Sequence, residues 1–435
     1  MRKLAIIAVL LVVLLAAGVQ PLGAGARQTI TLWYPAGEIT QSTLPLRDPT
    51  VFASFEATNN VKVELVATDY DTMQQKIFAA AAAGNVADIL FIDTSWLPGF
   101  LKEGLLEQLD PTKARRWLAA VSPEIVELSD YGAGTMWGYP QMGHDIYGLT
   151  WNKAHFREAG LDPERPPATW DELRDYAKRL AKRDAQGNIT RVGYAIRHVG
   201  HPHGVVHKHI WAIWGAGADL IDNPKALRGG KPMFNNEGGR AALKLVLDML
   251  NVDKSTSLNF PDPRAAFLRG IASMQISESV SIRARQPREA PAMPWSTGWG
   301  LALPPARRAG DRPATLLGAW LFSVPKAAKN KDLAWKALEW LNSEINDYRL
   351  AAKFNLTPRY KANWTKEPFK SDTYVQTLLK MAPYGRKLPI NLGLNGIMDA
   401  VGGAIQKAWH GEATVEQALA DAERMATRAI QDAAK

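Results

Sequence analysis

Apolar and polar positions along the chain follow two alternating periods. Residues 29–34 (TITLWY) and 61–66 (VKVELV) place apolar side chains at about every second position, the period of a half-buried strand. Residues 88–92 (DILFI) form a short continuous apolar run, which suits the middle of a parallel sheet. Between them, 69–84 (DYDTMQQKIFAAAAAG) reads as a helix with Asp71 as its N-cap and Gly84 as its stop. Another helix begins within 94–104 (TSWLPGFLKEG). The pattern repeats downstream. Strands are predicted at 147–151, 192–196, 300–303 and 321–324, and helices at 169–182, 210–214, 236–250 and 330–342. Capping boxes at Thr169 with Glu172 and at Thr414 with Gln417 fix two helix starts. The second opens a terminal helix with the apolar stripe Ala418, Leu419, Ala422, Met425, Ala426, Ala429 and Ile430. Strand–helix alternation of this kind predicts an α/β fold on mainly parallel sheets, and 435 residues favour two lobes.

The first residues follow a different logic. Arg2 and Lys3 precede an apolar run over 4–19, Pro21 and Gly23 break it, and Ala24, Gly25 and Ala26 suit a signal peptidase. This is the layout of a secretory signal peptide over 1–26, and the run falls short of the ~18–20 residues of a spanning helix. The rest of the chain is expected to be periplasmic or secreted, with no Cys for a lipid anchor.

Composition narrows the chemistry. With 46% apolar and 22% charged residues, the chain is an ordinary globular one, which excludes a disordered chain. The lack of Cys excludes disulfides, thiolate metal sites and a Cys nucleophile. A net charge of +9 favours acidic ligands or surfaces without specifying nucleic acid, and no nucleic-acid partner is expected. Phosphate-binding loop, dinucleotide fingerprint, zinc helix and nucleophile elbow are all absent from the sequence. Asp93, Asp145 and Glu278 stand at strand ends, but nothing pairs two of them as a glycosidase would need. No catalytic residue, cofactor or metal is therefore assigned.

Two clusters remain. Five of the eight His lie within 198–209 (HVGHPHGVVHKH). Neither His201 with His203 nor His207 with His209 has the i, i+4 spacing of a helical metal pair, so the segment reads as a polar loop before the 210–214 helix, with a metal site as the alternative. The 15 Trp are the second cluster. Trp117, Trp335, Trp340 and Trp409 fall on helical stripes and read as core. Trp33, Trp96, Trp295 and Trp320 adjoin loops, where an aromatic face suits the C–H face of a sugar ring.

The order of short motifs carries a resemblance. Phe55-Glu56 before VKVELV, then Tyr70, Gly84 and Ala87-Asp88-Ile89, form an opening block, followed by Gly104-Leu105-Leu106 with Leu109. The most specific stretch runs through Gly138-Tyr139-Pro140, Trp151-Asn152-Lys153, Phe156, Ala159-Gly160-Leu161 and Pro167-Ala168-Thr169-Trp170-Asp171-Glu172. Ala266-Phe267-Leu268-Arg269-Gly270 with Ala272 and Met274, then Asn330-Lys331, Ala334-Trp335, Trp340-Leu341 and Thr357-Pro358-Arg359, complete the series. In this order the chain resembles the family 1 extracellular solute-binding proteins of ABC importers, the maltose-binding-protein-like group. One departure stands out: Ser277-Glu278-Ser279-Val280 puts an acid where the family often has an aromatic or small residue.

The resemblance implies a two-lobed periplasmic-binding-protein fold, each lobe a mainly parallel sheet flanked by helices, joined by a multi-strand hinge. It implies one lobe from 27–143 plus 314–353 and another from 144–313 plus 354–435, with crossings near His144-Asp145 and 312–316 and a return near Phe354. It implies a monomer that closes on a carbohydrate in the cleft and delivers it to membrane permease subunits, with no enzymatic step. Position by position, the implied ligand-binding residues are Trp33, Tyr34, Glu38, Asp93, Trp96, His144, Asp145, Glu278, Trp320 and Arg359. Asp93 as a helix cap and Arg359 as a partner of an acid near the hinge are structural alternatives. The alternatives for function are an acidic sugar, a polyol phosphate, a metal or metallophore, or an extracytoplasmic carbohydrate-active hydrolase.

Overall fold

The computed structural model describes residues 27–36, 43–129, 131, 135–143, 145–318 and 320–435; the expected signal segment, Glu38 and His144 lie outside the described residues. Two five-stranded sheets organise them. The first has the spatial order Val61–Thr68, Gln28–Pro35, Ile89–Asp93, Trp320–Ser323, Tyr139–Pro140. The second runs Trp299–Ala302, Tyr147–Asn152, Ala272–Glu278, Ile189–Ala195, Lys182–Arg183.

The two-lobed α/β architecture is as expected, but the sheets are mixed rather than mainly parallel. In the first, Gln28–Pro35 is parallel to both neighbours, while Trp320–Ser323 is antiparallel to both of its own. In the second, Ala272–Glu278 with Ile189–Ala195 is the parallel pair and the other three pairings are antiparallel. The hinge is the physical reason. A strand that arrives from the other lobe enters its sheet at the cleft end and must run away from the cleft. Trp320 therefore starts opposite Asp93, where that strand ends, and Tyr147 starts opposite Glu278 in the same way. Crossing segments meet where Ile146 bridges Leu317 and where Thr315–Leu316 pairs in parallel with Gly385–Arg386.

Each sheet buries its faces under helices. Ile30, Leu32, Phe91 and Phe322 share one core with Ala334 and Leu338 of the Lys331–Leu341 helix. That core also takes in Leu356, Tyr360 and Phe369, beyond the expected return near Phe354. Leu149 and Met274 share a second core with Trp211, Val246 and Val401 from three helices. Trp117 and Trp409 are buried in these cores, as their stripes predict.

Helix ends show where local chemistry was read well and where it was not. Thr414 and Gln417 form the full reciprocal capping box. On that helix Met425 is exposed, so it leaves the apolar stripe. The Tyr70–Ala82 helix is capped by Asp69, whose side chain accepts the N–H of Asp71; Asp71 is inside the first turn. The largest correction concerns the His-rich segment, which is not a loop. Pro202–Gly215 is a continuous helix with His201 as its N-cap. Pro202 stands at the first helical position, where its missing N–H costs nothing, so it opens the helix. No helix among the described residues is long and apolar enough to cross a membrane.

Candidate functional site

The mixed sheets aim strand ends at the space between the lobes, the usual location for ligands of open α/β sheets. On the first lobe, Asp93 ends its strand and is almost fully buried. Its carboxylate accepts a hydrogen bond from the Tyr70 hydroxyl at 3.0 Å and from the Ser95 N–H at 2.8 Å. Burial raises its pKa, and the bonds from Ser95 and Tyr70 only partly offset that. The Tyr70 ring stacks on Trp96 at 5.1 Å and meets Trp320 edge-on at 5.7 Å, while Trp320 stacks on Phe91 at 5.2 Å. This aromatic block is a rigid wall.

The second lobe supplies charge. Glu278 accepts hydrogen bonds from the Tyr147 hydroxyl at 2.7 Å, Lys208 Nζ at 2.6 Å and the Arg264 guanidinium at 3.5 Å. Burial alone would raise its pKa, but Lys208 and Arg264 outweigh it and hold the carboxyl well below the usual range. Asp145, on the crossing segment, is the reverse case. Both of its carboxylate oxygens are buried, and neither has a well-formed hydrogen bond among the described residues. Burial and the charge of Glu278 push its pKa up to about 7, against the opposing pull of Gln141, Lys208 and Arg264. On the Pro202–Gly215 helix, burial and the neighbouring Lys208 charge push His207 well below its ordinary value, which keeps it neutral.

These walls meet at a narrow cavity of about 10 Å³, lined by Tyr70, Asp93 and Trp320 from one lobe and Tyr147, Arg197, Gly204, His207, Lys208 and Glu278 from the other. The lobes touch beside it. Ser95 Oγ lies 3.0 Å from His203 Nδ1, and His203 Nε2 lies 3.1 Å from Asp399 Oδ1. The rings of Tyr70 and His201 meet across the same seam at 5.7 Å.

Of the residues singled out in the sequence, Asp93, Glu278 and Trp320 line the cavity. Trp96 is fully buried behind Tyr70, and Asp145 lies outside the lining, near Glu278. Trp33 and Tyr34 are half-buried near the end of their strand, with Lys76 Nζ 4.8 Å above the Trp33 ring. Arg359 is not brought to the cavity. It is fully buried in the first lobe, where it donates to Asp347 at 2.9 Å, to the Pro140 carbonyl at 3.0 Å and to Asn342. Trp295 is also elsewhere, packed on Trp299 and Tyr374. Tyr70, Tyr147, Arg197, Gly204, His207 and Lys208 also line the cavity and are not among the ligand-binding residues expected from the sequence. Helical spacing over 202–215 would have found Lys208, since it shares a face with Gly204 and His207. No group of three or more His, Cys, Asp or Glu among the described residues is placed to hold a metal ion.

Comparison with known proteins adds a family and a fold. The family described as "Bacterial extracellular solute-binding protein" matches residues 36–347. A binding protein of Brucella abortus (strain 2308) is 26% identical over 384 residues, which is 85% of this chain and 86% of that protein. A crystal structure of an ABC transporter solute-binding protein of Thermotoga lettingae TMO, bound with α-D-tagatose, gives a TM-score of 0.80 at 24% identity over 93% of this chain and 100% of that one. The GacH receptor of Streptomyces glaucescens GLA.O, solved unliganded and with acarbose, gives 0.77 at 18% identity over 93% and 99%.

Proposed function

Because the chain belongs to the bacterial extracellular solute-binding protein family, we propose that it captures a carbohydrate between its lobes and delivers it to the permease of an ABC importer. The carrying observation is the set of side chains that meets between the lobes: the aromatic rings of Tyr70, Trp320 and Tyr147 beside the polar and charged groups of Asp93, Lys208 and Glu278. Aromatic faces cover the C–H side of a sugar ring, and charged donors and acceptors take its hydroxyls. Both lobes contribute, so a ligand that touches both favours the closed form by its differential affinity. The fold likeness to receptors solved with tagatose and acarbose supports the same reading. The protein acts as a monomer outside the cytoplasm, and no covalent step is needed.

Thermal unfolding against a panel of monosaccharides, oligosaccharides, polyols, amino acids and divalent metals tests this. A ligand at 100 times its dissociation constant adds about 2.7 kcal/mol of stability. A saturable rise in melting temperature with one sugar class, with the sugar recovered unchanged, is the expected result. A rise with metals or amino acids alone would remove the carbohydrate assignment, and a consumed sugar would point to a hydrolase.

A further inference from the structure

The cavity holds one charge that the protein leaves unanswered. Its two carboxylates are engaged: Asp93 by Tyr70 and Ser95, Glu278 by Tyr147, Lys208 and Arg264. Arg197 also lines the cavity and is half-buried, yet its guanidinium has neither an ion-pair nor a hydrogen-bond partner among the described residues. Gly204 leaves room for it: a Cβ there would stand 2.6 Å from Arg197 Cζ and 2.8 Å from Nη2, so the guanidinium in its present position packs against this glycine and would have to shift for a larger residue. Gly204 lies inside the Pro202–Gly215 helix, where glycine is less favourable than alanine. A partly desolvated cation with no ion-pair partner among the described residues is an arrangement that becomes favourable when an anion arrives.

We infer that the solute carries an anionic group, a carboxylate or a phosphate on a polyol, which pairs with the Arg197 guanidinium when the lobes close. The planar fork of Arg suits both groups, since each presents two oxygens to it. Lys208 adds positive potential on the same side of the cavity, while its direct bond goes to Glu278. This inference rests on the carbohydrate reading and narrows it to acidic sugars and phosphorylated polyols.

Isothermal titration of the purified protein with matched pairs separates the two readings: D-galacturonate with D-galactose, D-gluconate with D-glucitol, and sn-glycerol 3-phosphate with glycerol. Inorganic phosphate alone reports whether the anion binds without a polyol. At least one acid is expected to bind tenfold or more tightly than its neutral partner. Arg197→Gln is expected to lower the affinity for that acid by about 10–100-fold, the range of a charge-assisted hydrogen bond, and to change the neutral partner by less than about threefold. Gly204→Ala keeps the charge but displaces the guanidinium, and is expected to act in the same direction without loss of folding. Neutral members that bind as tightly as their acids, with both variants indifferent, would overturn the anion and leave the carbohydrate reading standing. Binding of phosphate alone, with no gain from the polyol, would overturn the carbohydrate reading and the acidic polyol with it, while no binding by any pair, beside a neutral sugar that raises the melting temperature, would overturn the acidic solute alone.

Discussion

Asp145 is a carboxyl group that the fold buries without a well-formed hydrogen bond among the described residues, and its proton has a thermodynamic consequence. Its pKa rises from 3.8 to about 7 through burial and the charge of Glu278, so the folded chain binds this proton more tightly than the unfolded one. The associated stability is complete below about pH 4 and is lost as pH rises through about 7. Asp145→Asn is therefore expected to change the melting temperature little at pH 3.5 and to raise it at pH 8. An equal shift at both values would show that Asp145 does not titrate as described. Arg359 teaches the opposite lesson about reading single residues. It matched a motif of ligand-binding proteins, yet its charge is neutralised by Asp347 in the interior, with both side chains nearly inaccessible. Removing one partner strands the other charge. Asp347→Ala is expected to cost about 3–5 kcal/mol in urea unfolding. A motif records that an arginine is placed there, while its direction depends on Asp347, Asn342 and Pro140, which the chain brings from separate segments.

At the scale of elements, legibility depended on whether the signal was local. Strands with a clean period of two, such as Gln28–Pro35 and Val61–Thr68, were readable, because alternation alone decides which face is buried. Pro202–Gly215 was not, because nearly every position from His203 to Trp214 is buried and a helix hidden on all sides has no polar face to reveal its period. Part of the candidate site was lost with it, since Lys208 and His207 reach the cavity only through helical geometry. Sheet direction was equally hidden: it depends on which lobe a strand arrives from. One contact between elements is open to direct test. A Cβ at Gly193 in the Ile189–Ala195 strand would stand 1.9 Å from the Ala177 carbonyl oxygen of the Trp170–Leu180 helix. Gly193→Ala must force helix and strand apart, and is expected to destabilise the protein by about 2 kcal/mol or more. Unchanged chemical denaturation would show that the two elements are not so closely apposed.

For the whole molecule, the decisive quantity is the balance between open and closed lobes. Ser95 and His203 belong to different lobes, and Asp399 Oδ1 lies 3.1 Å from the far nitrogen of the imidazole without hydrogen-bonding geometry. The trio has the members of a hydrolytic triad, but Ser95 and His203 are inaccessible when together and belong to separated lobes when the cleft is open. A latch fits this geometry and a nucleophile does not. Ser95→Ala is expected to raise the open-to-closed ratio about 2–10-fold, the worth of one hydrogen bond, and Ser95→Thr to restore it. Fluorescent labels at Lys62→Cys and Arg157→Cys would report the inter-lobe distance, and the absence of native Cys keeps labelling confined to these sites. An unchanged distance distribution in Ser95→Ala would remove the latch.

The late insertion of Trp320–Ser323 between Ile89–Asp93 and Tyr139–Pro140 bears on how the polypeptide is made. Until that strand leaves the ribosome, Ile89–Asp93 has a bare edge and Tyr139–Pro140 has no neighbour in the sheet. The first lobe therefore stays unfinished through most of translation. A nascent chain in that condition exposes an unpaired strand edge, which is a surface for a holding chaperone during that interval.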